Sequence, residues 1–172
     1  YDIFGLISAG GMARVHFGRL NADGGFGRIV AVKSIHRGLI ADARIGKMLE
    51  DEARLLSKIH HPNVIAPIDV IVSDAELFLV LEYVPGATLS ELFAVAKEKK
   101  EPLPIPVAVR AVADMLHGLH AAHELRNPEG DSLSVIHRDV SPENLLVGVD
   151  GVGRVFDFGI AKSEDRAQRT TE

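Results

Sequence analysis

One carboxylate stands where an apolar side chain belongs. Between Ala41 and His60 the residues Ile45, Met48, Leu49, Leu55, Leu56 and Ile59 recur at helical spacing, and Glu52 fills the one gap in that stripe. A buried charge without a partner is heavily penalised, and an opposite charge within hydrogen-bonding distance offsets most of the penalty. The fold must therefore carry a cation from another element to this helix. Residues 1 to 35 read as strand, turn, strand, turn, strand, with Ser8 to Val15 around the first turn, Asn21 to Gly25 in the second and Ile29 to Ile35 as the third strand. Strand alternation puts Ile29, Ala31, Lys33 and Ile35 on one face and Val30, Val32 and Ser34 on the other, so Lys33 shares an apolar face and is the obvious partner of Glu52. Glu50 and Asp51 lie off the stripe and read as solvent-facing. The competing arrangement rotates the helix, leaves Glu52 solvated and lets the Lys33 ammonium reach water along its packed stem.

The chain has 172 residues, 47% hydrophobic and 25% charged, enough for a real core in an ordinary globular protein. A net charge of −5 argues against a nucleic-acid partner. The absence of cysteine excludes disulfides and thiolate zinc sites and agrees with a reducing cytosol. No apolar run approaches the roughly 20 residues that span a bilayer, and no signal peptide opens the chain. Beginning at Tyr1 and stopping at Thr170-Thr171-Glu172 in a polar stretch, the sequence reads as a fragment. Pro106 to Leu125 predicts a long helix, mostly core, with Val109, Val112, Ala113, Leu116, Leu119 and Ala122 at helical spacing. Lys97 to Pro106 before it is a solvated connector. On that helix His117, His120 and His123 repeat every three residues; their outer members stand about 120° apart at 100° per residue, a poor arrangement for a metal.

The chemistry concentrates in His137-Arg138-Asp139-Val140-Ser141-Pro142-Glu143-Asn144, with Asp157-Phe158-Gly159 beginning thirteen residues after its Asn. Leu145 to Val149 and Gly153 to Phe156 are short apolar runs separated by Asp150-Gly151, a dipeptide suited to a tight hairpin with positive φ. The hairpin brings Asn144 and Asp157 to one end of two paired strands, where a single cation can bridge them. An Asp can orient and deprotonate an attacking hydroxyl, while a second Asp and an Asn supply hard oxygen atoms for Mg²⁺ that neutralises ATP phosphates.

These two motifs, with Val30-Ala31-Val32-Lys33 and Glu52 before them, resemble the signature set of the protein kinase superfamily, most like bacterial serine/threonine kinases. The likeness covers the whole chain with the motifs in order. It implies an α+β, bilobal fold: an N-lobe over residues 1–84, with an antiparallel sheet, a glycine loop and one helix, and a partial helical C-lobe over 85–172. It implies ATP and Mg²⁺ as cofactors and a protein as substrate. Asp139 would be the catalytic base, Asn144 and Asp157 the Mg²⁺ ligands, Lys33 the lysine that holds ATP phosphates and Glu52 its partner. The hinge would fall near residues 82–86, with Leu81 as gatekeeper and the backbones of Glu82 and Val84 meeting adenine. Ile7, Val15, Ala31 and Leu146 would wall the base, a mostly apolar pocket. Around Gly10, Gly11 and Met12 a glycine turn would approach phosphate with its backbone N–H groups. Arg138 would pair with a phosphorylated threonine, for which Thr170 and Thr171 are candidates.

The sequence departs from the family pattern in three ways. Of the three loop glycines only Gly10 is kept, with Ser8 and Ala13 in the outer places, and alone this turn reads as an ordinary hairpin. Ser141 stands where such kinases carry a lysine that stabilises the transferring phosphoryl group, which also weakens the choice of serine/threonine over tyrosine. The sequence ends before the A-P-E motif and the helices that dock substrate, so Val109 and Leu116 are expected to lack cover and the isolated piece to be weakly stable. The alternative is a pseudokinase-like nucleotide-binding or scaffold module without transfer. A cytoplasmic location is expected, either free or as the cytoplasmic part of a membrane-anchored protein.

Overall fold

In the computed structural model residues 2–9, 13–21 and 27–36 are three antiparallel strands, which include the β-branched Ile3, Ile7, Val15, Ile29, Val30, Val32 and Ile35 and the aromatic Phe4 and Phe17. The structure describes residues 1–10, 13–21, 27–36, 43–73 and 76–158. Gly11, Met12, Gly159, Thr170 and Thr171 of the sequence reading lie outside them, as does the side chain of Ile45. The described residues form two units, one of Tyr1–Ser57 with Ala66–Tyr83, the other of Lys58–Ile65 with the chain from Val84 onward.

The first unit is a five-stranded sheet, β1 (Asp2–Ala9), β2 (Ala13–Asn21), β3 (Gly27–His36), β4 (Pro67–Val72) and β5 (Glu76–Glu82), in the order β1-β2-β3-β5-β4. Register aligns Val15, Lys33 and Leu79 across three strands, and Phe17, Ala31 and Leu81 one step along the same face. The opposite face builds a core of Val30, Val32 and Val80 flanked by Leu20 and Phe78. Helix α1 (Ala43–Leu56) packs on β4 and β5. Its buried line is Leu49, Ala53 and Leu56. The sequence stripe centred on Glu52 is thus displaced by one position: Ala53 lets the helix approach closely, and Glu52 lies half-buried beside Met48 and Leu55. Strand β4 gives little sequence signal, because Ile68, Ile71 and Val72 are exposed and its register shifts between Pro67 and Asp69.

The second unit holds α2 (Leu89–Lys99), α3 (Ile105–His123) and a three-stranded antiparallel sheet of β6 (Gly86–Thr88), β7 (Leu145–Gly148) and β8 (Gly153–Val155). Thr88 and Glu91 form a reciprocal cap at the start of α2, and Lys100, left-handed at φ 56°, ends it. The predicted hairpin forms between β7 and β8, with Gly151 at φ 76° in its turn. Helix α3 faces β7 and β8 with Ala111, Asp114, Gly118 and Ala122. The sequence assigns Val109, Val112 and Leu116 to a largely core helix, but among the described residues they are exposed, and for Val109 and Leu116 this agrees with the expectation that they lack cover. The buried face is lined instead by small residues and one acid, because the turn at Asn63 and β8 run so close that a Cβ on Gly118 would collide with the Asn63 carbonyl and stand 2.9 Å from Val155 Cγ1. After α3, Asn127 closes the loop that follows by accepting the Asp131 N–H at 2.7 Å. Among the described residues no helix is long and apolar enough to cross a membrane.

Candidate active site

The second unit fixes its polar constellation from His137 outward. His137 is only 1% exposed and packs its ring on Phe158, with centroids 4.5 Å apart. Its Nε2–H donates to the Phe156 carbonyl at 2.9 Å, and its Nδ1 accepts the Asp139 N–H at 3.3 Å. One ring nitrogen faces an acceptor and the other a donor, which selects the neutral tautomer protonated at Nε2. Burial lowers the pKa of His137 below the usual imidazole range, opposed in part by the Phe156 carbonyl and the Asp157 and Asp139 carboxylates. Arg138, between the buried histidine and half-buried Asp139, is left-handed at φ 63°, a conformation that non-glycine residues adopt at a cost.

Asn144 ends a 3₁₀ turn, Pro142–Asn144, and is buried. Its side-chain Nδ2 donates to Asp139 twice, to the carbonyl at 2.8 Å and to Oδ2 at 3.1 Å. An atom facing two oxygens must be the amide nitrogen, so Oδ1 is the atom of Asn144 suited to a cation. The Phe156 N–H donates to the Asn144 carbonyl at 3.0 Å, which ties the residue before Asp157 to the loop of Asp139. Asp157 itself is exposed and left-handed at φ 58°. The structure thus gathers Asp139 and Asn144 by direct hydrogen bonds and joins Asp157 through its neighbour. Ser141 donates to the Glu143 carboxylate, which also accepts from Ser90 at 3.2 Å; the Glu143 backbone amide, Ser141 and Ser90 hold that carboxyl below its usual range.

In the first unit, Val15, Ala31, Lys33 and Leu81 share one sheet face. Ile7 sits exposed at a bulge of β1 between Leu6 and Ser8. Gly10 donates to the Ala13 carbonyl at 2.9 Å, and among the described residues a Cβ there would meet only that oxygen, at 3.8 Å, so their packing does not demand glycine. Glu82 is exposed and bound to Arg28 at 2.6 Å. An aromatic trio joins this unit: Phe17 stacks on Phe4 with centroids 6.1 Å apart and meets Tyr83 edge-on at 5.1 Å. The sequence gives no warning of it, since the three come from separate segments. In the second unit, Val84 is half-buried and Leu146, on β7, pairs with Thr88 and Arg154.

Among the described residues no group of three or more His, Cys, Asp and Glu is placed to hold a metal. An Asn oxygen and an Asp carboxylate fit Mg²⁺, a hard ion usually held by one or two side chains and completed by phosphate and water. A sheet with one helix, followed by a largely helical unit in which Asn144 and Asp157 flank the β7–β8 hairpin and Asp139 lies in the loop before it, defines an α+β protein. Comparison with known families is decisive: residues 1–172 match the protein kinase domain, and the chain belongs to that family. It is 36% identical over 99% of its length to tyrosine-protein kinase MasK of Myxococcus xanthus, covering 26% of that protein. It is 33% identical over 96% to the probable serine/threonine-protein kinase CPE1738 of Clostridium perfringens (22% of that protein) and 31% over 95% to probable serine/threonine-protein kinase PknB of Lactococcus lactis (24%). The chain therefore spans about a quarter of the length of these relatives.

Proposed function

We propose that the protein carrying this chain transfers the γ-phosphoryl group of ATP to serine or threonine hydroxyls of protein substrates. The observation that carries this reading is the Asn144 side-chain amide held by the Asp139 backbone carbonyl and Oδ2, with the Phe156 N–H pinned to the Asn144 carbonyl. Asp139 orients the acceptor hydroxyl and takes its proton, and the Asn144 bond to Oδ2 fixes the carboxylate for that task. Asn144 Oδ1 and Asp157 are the proposed holders of Mg²⁺, which when bound neutralises phosphate charge. Lys33 steadies the phosphates and Glu52 steadies Lys33; their shared half-burial suits an ion pair better than two solvated charges. Val15, Ala31, Leu81 and Leu146, with Ile7, supply apolar contact for the base, Glu82 and Val84 its backbone partners, and the Gly10 backbone approaches the phosphates. The reading puts the domain in the cytoplasm, where ATP is available.

Two observations favour a second acceptor. Ser141 replaces the usual lysine and is engaged by Glu143, and a relative 36% identical is named a tyrosine-protein kinase. Incubating the full-length protein with labelled ATP and a mixed peptide substrate, followed by phosphoamino-acid analysis, tests both points. Asp139→Asn should slow transfer by roughly 10²- to 10⁴-fold. Label on tyrosine alone would replace the serine/threonine reading, and transfer indifferent to Asp139→Asn would refute the mechanism.

A further inference from the structure

Gly153 opens β8, and both of its backbone polar groups are engaged by buried side chains from elsewhere in the second unit. Asp114 Oδ2 accepts the Gly153 N–H at 2.8 Å, and Asn63 Nδ2 donates to the Gly153 carbonyl at 2.8 Å. Asp114 is 3% exposed, and its other oxygen accepts Arg110 Nε at 2.8 Å. Burying a carboxylate and an amide is costly, and here the cost is offset because the two side chains satisfy the N–H and carbonyl of buried Gly153. The fit is close: a Cβ on Gly153 would stand 3.0 Å from Asp114 Cβ and 3.4 Å from the Ala111 carbonyl.

From Gly153 the strand is clamped along its length. The Val155 N–H donates to the Asn63 carbonyl and the Ile65 N–H to the Val155 carbonyl, both at 2.9 Å. Phe156 then bonds Asn144 with its N–H and His137 with its carbonyl, and Asp157 follows. A strand hydrogen-bonded on both edges is stiff, so an error at its first residue is passed to its last. We infer that Asp114 is a positioning residue: by holding the Gly153 N–H it sets where β8 delivers Asp157 beside Asn144. The inference rests on the proposed reading of Asp157 and Asn144 as the holders of the metal, and Asp114 itself touches neither metal nor phosphate.

The test is Mn²⁺ binding in the presence of ATP, followed by electron paramagnetic resonance on the full-length protein, together with the Mg²⁺ dependence of transfer. Asp157→Ala is the reference. Asp114→Ala should weaken Mn²⁺ binding about tenfold, in the range found when groups supporting metal ligands are removed. Asp114→Glu keeps the charge but presses its longer side chain against Gly153, and should weaken binding several-fold. Asp114→Asn keeps an acceptor for Gly153 and should stay within about twofold of wild type. If Asp114→Ala does not fold, the other two variants decide: Glu weakened with Asn retained supports the inference, and the reverse order overturns it. Wild-type Mn²⁺ binding in Asp114→Ala, with loss in Asp157→Ala, overturns the positioning role alone. Unchanged binding in Asp157→Ala overturns the metal reading and this inference with it.

Discussion

A single imidazole shows how much one residue's protonation can govern. His137 bonds through a protonated Nε2 and an unprotonated Nδ1, so a second proton would set an N–H against the Asp139 N–H. Its pKa in the folded chain lies below that of the unfolded chain, about 6.5. A group whose folded pKa is depressed in this way is a base that folding keeps neutral: its contribution is complete above the unfolded pKa and is lost as pH falls below it, because the unfolded chain binds the proton more readily. The melting temperature of wild type should therefore fall between pH 7 and pH 5 by more than that of His137→Gln, in which this site no longer titrates. Parallel curves for the two proteins would show that His137 does not contribute to the acid sensitivity. The motif around it was legible as chemistry, since Asp139, Asn144 and Asp157 announce themselves by residue type and spacing. The depth of His137 was not, because its neighbour Ile136 is exposed at 58% and the local pattern runs against hydrophobicity. Nor was Asp114 legible, since an acid on a helix ordinarily marks the solvent side.

The elements are held by close approaches that the sequence records only as glycines. Replacing a glycine inside a helix by alanine normally gains about 1 kcal/mol of helix propensity. At Gly118 the new Cβ would collide with the Asn63 carbonyl and stand 2.9 Å from Val155 Cγ1, and carbonyl and strand are both fixed by hydrogen bonds. Overpacking of this kind costs about 1–3 kcal/mol and outweighs the propensity gain. Chemical denaturation should thus find Gly118→Ala destabilised, while Gly10→Ala, whose Cβ meets the described residues only at the Ala13 carbonyl, in ordinary van der Waals contact at 3.8 Å, stays within about 0.5 kcal/mol of wild type. Equal stability in all three proteins would mean that α3 does not rest on residues 61–65 as described. The strands β1 to β3 and the β7–β8 hairpin were readable from alternation, short apolar runs and turn residues. The line of α1 was misplaced by one residue because Ala53 carries too little hydrophobicity to register, and β4 was hidden by its exposed apolar residues and irregular register. Physical patterns reveal an element best when one face alone is buried.

For the chain taken whole, the unbalanced feature is the outer face of α3. Ile105, Val109 and Leu116 are 77%, 61% and 56% exposed, and Val112 joins them on the same stripe. Scattered apolar residues on a surface are ordinary, but four on one helical face form a continuous patch of the kind that binds dyes and promotes association. Exposure also means that these side chains contribute little to the stability of the 172-residue chain, since burial is what makes an apolar group stabilising. Residues 1–172 prepared alone should consequently bind an amphiphilic dye such as anilinonaphthalene sulfonate and melt over a broad range. Val109→Lys with Leu116→Lys should reduce dye binding and association without lowering the melting midpoint, because no buried contact is lost. In the full-length protein, a fall in stability of a few kcal/mol on the same double substitution would show the stripe to be covered there, since placing two charges in a packed interface is costly. A sharp, cooperative transition without dye binding for residues 1–172 alone would contradict the exposed stripe, and with it the prediction that this chain is weakly stable by itself.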